Sequence, residues 1–310
     1  MKSGRVGASL VPMLVPVLAT AFFAMGAQAM DIKGLWNFAD PAASEAVFRE
    51  RLASVSGDYA LSLQTQIARS LGLRSRFDEA HAVLDQIEPH LAGAGDEPRV
   101  RYLLERGRTF RSSRQVDRAR PLFAQAVEAA AAAGLDELSV DAMHMMALVE
   151  PAAAEQMRWN LRALALAESS VDANARSWKA SLANNIGMTL HEEGKFDEAL
   201  RQFRSAVIAR EPMGNAANTR AAHWMVAWTL RSLKRHDEAL DILRRLEREA
   251  AAADEADGFL FEELAENLLA VGQAAPARPY FAQAHAALSA DSSLDRVDDA
   301  RLARLLALSK

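Results

Sequence analysis

Asn184–Ala206, NNIGMTLHEEGKFDEALRQFRSA, decides how this chain folds. It reads as two amphipathic helices joined by a tight turn at Glu193-Gly194-Lys195. Small residues, Gly187 and Ala199, stand where the helices must touch. Ile186, Leu190, Phe196 and Phe203 place bulk a turn away. A helical hairpin this short cannot bury its apolar face alone and requires stacked neighbours.

The neighbours are found by counting. The alanine early in each second helix recurs at Ala80, Ala119, Ala199, Ala239 and Ala277. The intervals are about 39, 80, 40 and 38 residues, so a degenerate unit lies inside the long one; Asp141–Val149 and Ala152–Leu166, joined at Glu150-Pro151, fill it. Loop signals separate the units at 92–98, Gly134, 212–215 and 254–258. Half of the 310 residues are hydrophobic, a quarter charged and only 6% aromatic, a composition that favours helix throughout and offers no alternating strand pattern.

The pattern resembles the tetratricopeptide repeat, W-x2-L-G-x2-Y followed by A-x3-F. It is carried by Ala183, Ile186, Gly187 and Leu190 with Ala199 and Phe203, by Leu103, Gly107 and Phe110 with Ala119 and Phe123, and by Phe261, Leu264, Ala265 and Leu268 with Ala277 and Phe281. The period is longer than that of the family, and the third unit lacks the small-residue marks. The resemblance implies an all-α, right-handed α-solenoid of about six hairpins. Expected units are 58–92, 97–133, 137–168, 174–211, 216–253 and 257–290. An N-terminal lead and capping helix fill 30–57, with Asp40-Pro41 opening the helix and Val47, Phe48 and Leu52 inward. A C-terminal capping helix fills 291–310, with Leu294, Val297, Leu302 and Leu306 as its buried stripe.

Residues 1–29 read differently. Lys2 and Arg5 precede an uncharged, mostly apolar run from Val6 to Met25, which ends in Ala27-Gln28-Ala29. This is the pattern of a secretory signal peptide cleaved after Ala29, giving a periplasmic or secreted chain with no membrane span. The alternatives are an uncleaved anchor, since about 20 apolar residues span a bilayer, and a cytoplasmic chain started at Met30. Cleavage moves the net charge from −5 to −7. An acidic chain without a basic tract is a poor nucleic-acid binder. With no cysteine, thiol catalysis and Cys-ligated zinc are excluded.

No phosphate-binding glycine loop, dinucleotide fingerprint or H-E-x-x-H is present. The chain therefore reads as a non-enzyme without a cofactor or metal. Asp141 with His144, and Glu262 with Glu266, share helix faces and are expected to be surface or groove pairs. The resemblance implies that the first helices line a concave groove. By phase, Arg69, Arg101, Arg108, Arg111, Asn184, Met188, Trp224, Trp228, Arg231, Glu262 and Glu266 point into it, as do Thr65, Leu104, His191 and Phe259. Trp and Arg are the residues that dominate interfaces, and the groove reads as basic at its N-terminal side and acidic at its C-terminal side. The expected function is a scaffold that docks a protein or peptide partner in the groove. The alternative is a regulatory or sensory solenoid that takes a small molecule or signalling peptide there.

Overall fold

The computed structural model describes residues 32–290 and 299–310, and within them the fold is all-α. The leader, together with Leu294 and Val297 of the expected C-terminal stripe, lies outside the described residues. A short 3-10 turn, Lys33–Leu35, precedes α1 (Pro41–Leu52). Asp40 caps α1 by accepting from the Ala43 amide at 2.9 Å, with Pro41 as first helical residue. Phe48 is fully buried, but Val47 is exposed rather than inward.

Hairpins follow: α2 (Gly57–Leu73) with α3 (Phe77–Ile87), α4 (Asp96–Ser112) with α5 (Val116–Ala132), and α6 (Asp136–Ala147) with α7 (Ala153–Ser169). A single turn of helix, α8 (Ala173–Arg176), intervenes, unforeseen in the sequence. Then come α9 (Lys179–Glu192) with α10 (Phe196–Arg210), α11 (Ala216–Ser232) with α12 (His236–Ala252), and α13 (Gly258–Ala270) with α14 (Ala274–Ala290). The last helix is α15 (Asp299–Leu308). Leu305 is its buried residue, whereas Leu306 is exposed.

Five of the hairpins turn in the same way. The middle residue of a three-residue loop takes a left-handed conformation: Ser75, Arg114, Gly194, Lys234 and Gly272, with φ between 59° and 79°. The residue after it donates its amide back to a carbonyl five positions earlier, at 2.8–2.9 Å: Arg76 to Leu71, Gln115 to Phe110, Lys195 to Leu190, Arg235 to Leu230 and Gln273 to Leu268. This is the Schellman closure of a helix C-terminus. Two of the five sites carry the glycine such a turn favours; three tolerate a side chain.

The paired helices interlock through one register. A Cβ on Gly187 would lie 2.7 Å from the Phe203 ring, and one on Gly107 would lie 2.4 Å from the Phe123 ring. The glycines thus make room for a phenyl group of the second helix, sixteen residues on. The same offset pairs Ala68 with Leu84, Ala227 with Leu243 and Ala265 with Phe281, all buried. In the other first helices the residue after the glycine site is half-buried (Arg69, Arg108, Met188, Trp228, Glu266); matching His144 to it sets Met143 at the glycine position of α6, and the buried trio Asn160, Ala163 and Ala167 matches Phe123, Ala126 and Ala130. The third unit therefore exchanges sides. Bulk moves from the second helix to the first, as a close-packed interior permits when total volume is kept.

Successive first helices approach one another, as α2 with α4, α4 with α6, and α11 with α13, while close contact between successive second helices is not a feature of the stack. The array curves with the first helices inside. The core runs as a layer between the two rows of helices, from Phe48 and Leu63 at one end to Phe281 and Leu305 at the other. Among the described residues no helix is long and apolar enough to cross a membrane.

Candidate functional site

The inner face is built from two positions of every first helix. One position follows the glycine site: Arg69, Arg108, His144, Met188, Trp228 and Glu266. The other precedes it by two: Gln66, Glu105, Asp141, Asn185, Met225 and Glu263. The first position of one helix meets the second position of the next. Arg69 reaches Glu105 at 3.6 Å, Arg108 pairs with Asp141, and the Asn185 amide lies 3.2 Å from His144 Nδ1. Further along, Arg231 holds Glu263 with Nε at 2.5 Å and a second nitrogen at 3.1 Å. A polar ladder thus staples neighbouring repeats across the concavity.

Arg108 is the hub of this ladder. It also donates to Glu105 at 2.5 Å, so one guanidinium is shared by two buried carboxylates. Burial opposes its charge, but Asp141 and Glu105 hold it firmly protonated. Burial likewise opposes ionisation of Asp141, and Arg108 with Arg69 overcomes it, keeping the carboxyl below its usual range. Asp141 is therefore not a surface or groove partner of His144. His144 is itself largely buried; desolvation, aided by Arg108 and Arg111, pulls its pKa down to about 4 against the opposing pull of Asp141. It is a neutral imidazole at physiological pH.

The expected groove residues therefore divide. Thr65 and Leu104 are fully buried core. Arg69, Arg108 and Arg231 are structural ion-pair partners. Arg101 pairs with Glu97 of its own helix at 2.8 Å. Glu262 and Glu266 do not form an open acidic end: α15 lies over them, with Arg301 Nε 2.9 Å from Glu262 and Arg304 paired with Glu266. The basic-to-acidic gradient expected along the groove is thus compensated from within. Arg111 differs, because it has no carboxylate partner among the described residues. Burial and the neighbouring charge of Arg108 lower its pKa, leaving a half-buried cation beside Arg108.

Further along lies an aromatic ledge. His191 stacks on Trp228 with ring centroids 3.5 Å apart at 21°, and Trp228 continues to Trp224 at 6.0 Å and 13°. Trp224 Nε1 donates to the Phe259 carbonyl at 3.2 Å, and His191 Nε2 lies 3.0 Å from Ser232 Oγ. The rings are thus fixed in place while half-exposed. Asn184 and Met188 stand on the same helix as His191, both half-exposed. Of these, His191 belongs to the ledge on equal terms with the tryptophans. Among the described residues no cluster of three metal-ligating side chains occurs.

Residues 178–248 match the tetratricopeptide repeat family. No curated protein sequence matches the chain. Among solved structures, apo RapI is similar at a TM-score of 0.68 and 12% identity, covering 88% of this chain and 76% of that one. A signal-transduction ATPase with a tetratricopeptide repeat sensor from Pyrococcus horikoshii is similar at 0.64 and 11% identity. That match covers 79% of this chain and spans only 39% of the larger protein. NprR in complex with its cognate peptide NprX is similar at 0.52 and 14% identity, covering 89% and 80%. At these identities the likeness is one of fold: an all-α helical repeat of tetratricopeptide type.

Proposed function

We propose that the chain is a non-enzymatic scaffold that docks a peptide or protein segment along the inner face of its first helices, with the ledge His191–Trp228–Trp224 as anchor. The observation that carries this is the ledge itself. Of three stacked rings the outer two are hydrogen-bonded to neighbouring helices and hold Trp228 between them, yet all three are half-exposed on the concave side. Pre-fixed aromatic surface binds at low cost in lost side-chain freedom. Arg111, without a carboxylate partner among the described residues, supplies a cation on the same face, suited to a carboxylate of the bound segment. NprR, of similar fold, is known in complex with a cognate peptide, which favours a signalling peptide as the form of such a ligand.

We place the protein in the cell envelope, on the strength of the basic start, apolar run and Ala27-Gln28-Ala29 of the leader. N-terminal sequencing of the envelope form tests this; Met30 at the N-terminus is expected, and an intact Met1 refutes cleavage. The binding reading is tested by affinity capture from envelope extract with the wild type, Trp228→Ala and Arg111→Ala. Wild-type capture is expected to fall at least tenfold with Trp228→Ala. Equal recovery by all three chains refutes the inner face as the docking surface.

A further inference from the structure

The groove already holds a peptide: the chain's own residues 32–38. Ile32 is buried with the first core. Trp36 Nε1 donates to Gln66 on α2 at 3.0 Å. The rings of Trp36 and Phe38 stack at 4.7 Å and 2°, and the Arg69 guanidinium lies 5.6 and 5.5 Å from them. At the other end of the turn, Lys33 Nζ donates to Ser177 Oγ at 2.8 Å, 144 residues away at the threshold of α9. From Lys33 to Trp36 the backbone extends at most about 10 Å. The segment therefore bridges α2 and α9 across the inside of the curve, passing the start of α6. There burial and Asp141 raise the pKa of half-buried Glu137, and Arg101, then Lys33, partly oppose the rise.

Each contact names a property of whatever else would fit. The strip receives an ammonium at Ser177, within the electrostatic reach of Glu137, and a flat aromatic pair on Gln66 and Arg69. The cation and the first ring are three residues apart in a 3-10 turn, where positions i and i+3 fall on one side. Resting on the reading of the inner face as a peptide site, we infer that its N-terminal half is a distinct docking strip for a basic–aromatic peptide segment, presenting Lys or Arg three residues before Trp or Phe, and that residues 32–38 are the tethered occupant it displaces.

Tethering makes the prediction quantitative. A short linker gives the resident segment an effective concentration on the order of 1 mM. A free peptide of intrinsic Kd between about 10 and 100 µM is then weakened about 10- to 100-fold on the intact strip. The probe is a fluorescently labelled synthetic peptide of residues 32–39, titrated by anisotropy against the full chain. Lys33→Glu, an exposed substitution that removes the ammonium bonded to Ser177 and puts an acid within the electrostatic reach of Glu137, is expected to release the segment and tighten probe binding at least tenfold. Trp36→Ala with Phe38→Ala should do the same; because Trp36 also packs on Phe48 at 5.0 Å, circular dichroism is recorded alongside, and Lys33→Glu decides the matter alone if that variant unfolds. A probe carrying Lys33→Glu should bind none of these chains, and Glu137→Lys in the protein should restore it. Equal affinity of wild type and Lys33→Glu for the probe, or undiminished binding of the charge-reversed probe, overturns the inference. Trp228-dependent capture is read independently, so the strip can fail while the ledge stands, and the reverse.

Discussion

Gly187→Ala tests whether one glycine sets the spacing of the central hairpin. The added methyl would lie 2.7, 2.9 and 3.0 Å from three atoms of the Phe203 ring, and that ring is fully buried. Such an approach must push the ring or the helix, an overpacking that costs about 1–3 kcal/mol. Alanine in a helix interior recovers about 0.5–1 kcal/mol over glycine. The net expectation is a loss of about 1–2 kcal/mol. The chain carries alanine at this register opposite leucine, at Ala227–Leu243 and Ala68–Leu84, and also opposite a ring, at Ala265–Phe281, so the test asks whether the α9–α10 pair, unlike α13–α14, is spaced for glycine. Phe203→Leu alone removes buried ring volume and should cost about 1–2 kcal/mol. The double variant should cost no more than Phe203→Leu alone, giving a favourable coupling of about 1–2 kcal/mol. Repeat arrays lose two-state behaviour readily, so the comparison is made by native-state hydrogen exchange of the α9 and α10 amides. Costs that add within about 0.5 kcal/mol would refute the claim that this glycine exists to admit this ring.

Other expectations follow from the ladder and the turns. Arg108→Ala leaves Asp141 buried without its bonded cation and Glu105 with Arg69 alone, and should cost about 3 kcal/mol or more, whereas Arg111→Ala should leave the urea midpoint nearly unchanged; similar midpoints for the two would remove Arg108 from its role as hub. His144 has a folded pKa of about 4 against 6.5 unfolded, so the unfolded chain takes up the proton first. Its contribution is present above pH 6.5 and lost as pH falls towards 4, on the order of 3 kcal/mol in all. His144→Gln should flatten that limb of the stability profile, and an unaltered slope would show that the imidazole is not desolvated. Lys234→Gly relieves a left-handed residue at φ 60° and should raise stability by about 0.5–1 kcal/mol after glycine's entropy is counted. Gly194→Ala should lower it by about 1 kcal/mol; the opposite order in thermal melts would contradict the turn assignment.

The sequence made the repeat register readable because alanine and phenylalanine at fixed offsets report helix contact directly. It hid the third unit, because Met143 and Asn160 keep the combined volume while reversing which side is large. The buried acids were hidden for another reason. Glu105, Asp141 and Glu263 stand among apolar residues, and on one helix a carboxylate reads as solvent-facing. The cation of Asp141 and of Glu263 lies more than thirty residues away on the adjoining repeat, and Glu105 shares Arg108 of its own helix with Asp141. A signal was present in the opposed charges one after and two before the glycine site, Arg69 with Glu105 and Arg108 with Asp141, visible only once the helices are laid in phase. The groove arginines were found by that same phasing, which cannot tell an open guanidinium from a sequestered one; of Arg69, Arg101, Arg108, Arg111 and Arg231, Arg111 alone lacks a carboxylate partner among the described residues. The lead at 31–38 offered aromatics for packing, and nothing local showed that Lys33 reaches Ser177.

The ladder also fixes the order of the units. Repeat arrays are commonly pictured as beads that duplication and deletion can add or remove at will. Here each first helix carries half of a bond whose other half is on its successor. Excising the third unit would set Arg108 against Asn185, an amide in place of a carboxylate, and leave the α4 guanidinium with Glu105 alone. Duplicating the second would only set Arg108 against a second Glu105, the arrangement Arg69 already has. Loss of the third unit would therefore be inherited only together with a matching substitution at the new seam, so the order of this solenoid's units is written in its charges as well as in its count of helices.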